Sequence, residues 1–161
     1  MINLVFTGKP KAVQSFRFAN RGKFTVKYQP KEVVDWKKGI VAQAREQLPH
    51  GHKPWGCPIQ VKIDFVFAVP KSYKKMFHEE VKNGIVRYKT TKPDLTDNLP
   101  KGLIDALSGI LWESDQLICK VESRKVYGSV SHTTLEVERM SQFAEDNPEP
   151  NSSKDNHPSL F

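Results

Sequence analysis

The chain has 161 residues, 38% of them hydrophobic and 27% charged, and a net charge of +7. That composition fits one soluble globular domain large enough to bury its own core. It excludes a helical membrane protein, since no apolar run nears the roughly 20 residues a spanning helix needs, and a disulfide scaffold, since there are two cysteines.

Cys57 and Cys119 are far apart and in no metal-ligand spacing. Both are expected as buried free thiols in a reducing compartment. The first residues lack the basic lead of a signal peptide, so the cytoplasm is the expected location. The charge is uneven. Residues 141–161 hold Glu145, Asp146, Glu149 and Asp155 against Lys154, a balance of −3, so residues 1–140 must carry +10 to give the total of +7. A basic body favours a polyanionic partner, although a lysine-rich surface that only confers solubility carries the same charge.

In chain order, residues 2–6 read as a strand, followed by the breakers Gly8 and Pro10. Residues 14–23 interleave Arg17, Arg21 and Lys23 with Phe16 and Phe18. That mixture suits phosphate contact with base stacking, and equally a hairpin with buried rings and solvated cations. Residues 24–28 predict a second strand. Pro30 suits a first helical turn, and apolar positions from Val33 to Leu48 recur at helical spacing. Trp36 is expected in the core. Residues 49–58 read as a loop, and its His50 and His52 lack a third ligand nearby in sequence.

Pro58 to Val69 alternates apolar Ile59, Val61, Ile63, Phe65 and Phe67 with residues such as Gln60, Lys62 and Asp64, which predicts a central strand. Residues 71–78 form a short basic segment of helical or merely solvated character, and 85–88 suggest a short strand. Leu99, Leu103, Ile104, Ala106, Leu107 and Ile110 give the buried side of a helix. Asp97 or Asn98 can cap it, and Pro100 is tolerated in its first turn. Gly109 and the turn over 112–115 end it. Ile118 to Tyr127 and His132 to Glu138 read as further strands. From Ser141 the composition cannot bury enough surface to fold. The expected architecture is α/β: a single domain over residues 1–140, a mixed β-sheet packed with two main helices, and a flexible acidic tail over 141–161.

Residues 92–115 concentrate the chemistry. Asp94, Asp97, Lys101 and Asp115 flank one apolar helix. Carboxylates repel a phosphate backbone unless a divalent cation stands between them. Mg²⁺ takes oxygen ligands, with carboxylates, water and phosphate oxygens sharing its shell, and it activates water and stabilises developing oxyanions. Asp97 also has a plainer reading as a cap, and Asp115 as a turn residue. Lys101 lies one turn beyond Asp97 and one before Asp105, and Asp105 is read as the structural partner of Lys101.

The run Lys92-Pro93-Asp94, Asp97-Asn98-Leu99, Lys101, Asp105-Ala106-Leu107, Trp112 and Asp115 resembles the core motif of the RusA-like endodeoxyribonucleases, which are Holliday-junction resolvases. The resemblance extends over residues 1–140, and Gly8 to Arg17 is similar to the family's N-terminal loop. It implies Mg²⁺-dependent paired incision of four-way DNA junctions, with Mn²⁺ as a substitute, by a homodimer. It implies Asp94, Asp97 and Asp115 as metal ligands and Lys101 as a fourth catalytic residue. Lys9, Lys11, Arg17, Arg21, Lys23 and Lys92 are the expected DNA contacts. The family places one residue between its first two aspartates, and this chain has Leu95 and Thr96. In an extended segment that spacing turns the two acids to opposite sides, so sharing a metal requires a bulge or turn at Leu95-Thr96. The alternatives are a catalytically impaired junction- or single-strand-binding module, and a less selective flap or fork nuclease. The segment His157-Pro158-Ser159-Leu160-Phe161 resembles the Gln-x-x-Leu-Phe peptides that dock on bacterial sliding clamps, with His157 where Gln is preferred.

Overall fold

The computed structural model describes residues 1–13, 17–22, 24–96 and 98–141, with the backbone alone at 17–21, 26 and 27. The expected acidic tail beyond Ser141, with Leu160 and Phe161, lies outside the described residues, as do Phe16, Lys23 and Asp97. Among the described residues the chain forms β1 (Ile2–Thr7), β2 (Arg17–Arg21), β3 (Phe24–Tyr28), α1 (Lys31–Gln47), β4 (Ile59–Ala68), α2 (Lys75–Lys82), α3 (Leu99–Leu107), β5 (Ile118–Gly128) and β6 (His132–Arg139). A 3-10 turn over Asp115–Leu117 leads into β5.

The main sheet is mixed, in the order β1-β6-β4-β5. β6 runs antiparallel to both β1 and β4, whereas β4 and β5 are parallel. The alternation in β4 decides which face is covered. Ile59, Val61, Ile63, Phe65 and Phe67 are buried, while Lys62 is exposed and Asp64 half-buried. The covered face meets α1 and α3, whose Ile40, Ala44, Leu99, Leu103 and Leu107 join the same core. Each of the leucines and isoleucines among them stabilises the fold by roughly 1.5–3 kcal/mol on full burial. The two main helices expected from the sequence are these. The basic segment after β4 adds the shorter α2, whose Phe77 and Val81 rest against the core. β2 and β3 form their own two-stranded sheet, which pairs Arg17–Arg21 with the strand expected over 24–28. Trp36 packs against the core as expected.

Both sheet edges are covered by particular groups. On β1, Gln47 Oε1 accepts the Val5 N–H at 2.9 Å while Gln47 Nε2 donates to the Val5 carbonyl at 2.8 Å. Gln43 Oε1 accepts the Thr7 N–H at 2.7 Å. Two glutamines one turn apart on α1 thus satisfy an edge that would otherwise template foreign strands. On β5, the Tyr127 N–H donates to the Arg87 carbonyl at 2.8 Å and the Lys89 N–H to the Lys125 carbonyl at 2.9 Å. The strand expected over 85–88 is reduced to a single bridge, Tyr88 with Val126. The segment touches β5 and then leaves it to enter the 92–98 loop.

Two smaller expectations are corrected. Cys119, on the edge strand β5, is exposed and Cys57, in the loop before β4, is half-buried. Asn98 occupies the N-cap of α3 without a side-chain cap bond. Its carbonyl is engaged instead, accepting the Val13 N–H at 3.1 Å.

Candidate active site

The site lies where the 92–98 loop, the first turn of α3 and the start of β5 meet. Thr96, Lys101, Asp105 and Asp115 line one open hollow of about 430 Å³, floored by Leu95, Pro100, Ile104, Ile118 and Val121. α3 delivers Lys101 there because Leu99 and Leu103, on either side of it in sequence, are buried and fix the helix rotation. Asp115 is delivered by the turn after Trp112, whose fully buried ring anchors that end. Ser114 Oγ caps the 3-10 turn by accepting the Gln116 N–H at 3.4 Å, which leaves the Asp115 carboxylate for other partners.

Asp94 is exposed, and the hollow is lined by its neighbour Leu95 instead. Leu95 and Thr96 form a turn rather than a strand, one of the two conformations that the extra residue demanded. Asp97, the remaining acid expected from the sequence, lies outside the described residues. Among the described residues, no three His, Cys, Asp or Glu side chains form a metal-binding group.

The acids divide clearly by what they already hold. Asp64 takes a bidentate pair from Arg124, with both contacts at 2.7 Å. That hydrogen bonding, and then the carboxylate's charge, raises the Arg124 pKa above its ordinary value. Asp105 pairs with Lys37 of α1 at 3.5 Å. The sequence had suggested Lys101 as its partner. The packing of α1 against α3 brings the Lys37 ammonium to Asp105 and makes that pair an interhelical tie. Asp94 and Asp115 have no ion pair among the described residues. Two uncommitted, exposed carboxylates offer hard oxygen donors, which is the donor chemistry that Mg²⁺ or Mn²⁺ requires.

Lys125 is a residue that sequence reasoning passed over. Its ammonium donates to the carbonyls of Thr91 at 2.7 Å and Pro93 at 2.6 Å. It therefore ties the loop carrying Asp94 to the strand that begins just after Asp115. A lysine in mid-strand gives no sequence signal of this role, because its targets are backbone atoms more than thirty positions away.

The expected DNA contacts are partly placed. Lys9 and Lys11 line a second hollow, of about 720 Å³, between the N-terminal loop, Tyr28, the start of α1 and Pro93. Lys11 is paired with Glu32 at 3.4 Å. Lys92 is exposed beside this hollow's Pro93. Arg17 and Arg21 lie on β2, where the backbone alone is described, and Lys23 is outside the described residues. His50 and His52 stay in their loop, with His52 Nε2 buried and unpartnered.

The family model for Endodeoxyribonuclease RusA matches residues 7–138. No curated protein matches the chain.

Proposed function

Since the chain belongs to the RusA endodeoxyribonuclease family, we propose that it resolves four-way DNA junctions by paired, Mg²⁺-dependent incisions as a homodimer. The observation that carries this reading is the hollow that holds Lys101 and an uncommitted Asp115 together. Asp94, Asp97 and Asp115 would hold the metal, which when bound activates water and neutralises phosphoryl oxygens. Lys101 places a cation where charge builds on the scissile phosphate. Lys125 keeps the Asp94 loop against β5. Lys9, Arg17, Arg21, Lys23 and Lys92 bind backbone phosphates and position the strand without reading its sequence. A two-fold dimer presents one such site to each of two symmetry-related junction strands.

The test is incubation of the purified chain with a synthetic four-way junction, with and without Mg²⁺ or Mn²⁺. Symmetric paired nicks that require the metal are expected. Flaps or forks cut as fast as junctions would replace the reading with that of a less selective nuclease. The absence of Asp94 from the hollow's lining favours a second reading, a junction- or single-strand-binding module. Tight binding with no cutting in either metal would establish it.

Leu160 and Phe161 are proposed to dock on a bacterial sliding clamp, with the acidic segment as tether raising local concentration. Truncation after Met140 should abolish clamp binding and preserve junction cleavage. Clamp binding that survives truncation would refute this.

A further inference from the structure

The basic segment between β4 and the site is not used by the chemistry above. Residues 71–89 carry six cations, Lys71, Lys74, Lys75, Lys82, Arg87 and Lys89, against Glu79 and Glu80. Both acids are neutralised locally, Glu79 by Lys75 at 3.7 Å and Glu80 by Arg87. Lys71, Lys74 and Lys82 are exposed, with no ion pair among the described residues. α2 has no buried residue, so its packing alone gives no reason for this charge.

The segment is held against the C-terminal end of β5, at Lys125 to Tyr127. Tyr73 Oη lies 3.1 Å from Tyr127 Oη, and the Phe77 ring meets the Tyr127 ring edge-on at 5.5 Å. From there the chain follows the edge of β5 through the Arg87 and Lys89 backbone bonds to the Lys125 anchor and the site. Asp115 stands just before Ile118, at the other end of the same strand. Nine strand steps separate Ile118 from Tyr127, roughly 30 Å. At about 3.4 Å per base pair, that is about nine base pairs of duplex.

We propose that α2 and its flanks form a second DNA-contact surface, which grips the backbone of the duplex arm leaving the site about nine base pairs from the cut. Charge complementarity selects the occupant, since an unneutralised lysine cluster on a site-bearing edge fits a phosphate backbone. Because the grip lies beyond the junction centre, it acts on affinity and not on the chemical step. The inference rests on the junction-nuclease reading.

The test compares wild type with a Lys71→Ser, Lys74→Ser, Lys82→Ser variant, which changes exposed side chains only. Both are assayed on two four-way junctions, one with arms of about 20 base pairs and one with hairpin-closed arms of about 6, against salt concentration. On long arms the variant should bind roughly 10-fold more weakly, with its salt slope flattened by about two to three. On short arms the two proteins should bind alike, and incision at saturation should match on both substrates. Equal binding by both proteins on long arms overturns the proposal. So does an equal loss on both arm lengths, which would place the lysines at the junction centre. Wild type that binds neither junction would instead remove the junction reading itself, and this proposal with it.

Discussion

Asp115→Asn is expected to slow junction incision by on the order of 10³-fold in Mg²⁺, the scale seen when a transition-state electrostatic contact is removed. Binding should hold or tighten, because a carboxylate facing a phosphate backbone repels it. The side chain is exposed and its turn is capped by Ser114, so the fold should tolerate the change. Asp94→Asn, measured alongside, decides what the extra residue before Asp97 has done. An equal loss places Asp94 at the metal, and a wild-type rate leaves the metal to Asp97 and Asp115. Wild-type incision by Asp115→Asn would overturn the site assignment, provided its melting temperature matches wild type.

The second large effect should come from Gly102→Ala. In an ordinary helix interior this change stabilises by about 1 kcal/mol. Here the sign should invert. Gly102 is buried in α3, and a methyl there would overlap Val13 Cγ2 while standing 3.4 Å from both Val13 Cβ and Trp36 Cζ3. Val13 is itself buried and fixed by its N–H bond to the Asn98 carbonyl. The glycine notch therefore seats the N-terminal loop beside the acid motif. Overpacking it should destabilise by roughly 1–3 kcal/mol and weaken junction binding, since the residues that follow Val13 include the expected DNA contacts. Val13→Ala removes the overlapping Cγ2 methyl. The double variant Gly102→Ala, Val13→Ala should recover most of the lost stability and affinity, a coupling that melting curves and junction titrations read as a double-mutant cycle. A Gly102→Ala protein that melts higher than wild type would show that the notch has no such role.

The sequence alone determined most of the elements and singled out the candidate site residues. The strict alternation of β4, the helical spacing of α1 and α3, and the clustering of acids around Lys101 are local patterns, readable because side-chain direction follows backbone period. The run from Lys92 to Asp115 also carried the family. Tertiary packing alone decided the partners. Asp105 has Lys101 one turn away along its own helix, yet it pairs with Lys37, because helix packing sets a cation from another element closer than helical spacing can. Gly102 reads as a weak helix position until Val13 is seen to fill the notch above it. Lys125 reads as a solvated strand residue until the Thr91 and Pro93 carbonyls arrive at its ammonium. In each case the deciding contact joins residues far apart in the chain, and one-dimensional periodicity holds no record of which distant surfaces meet.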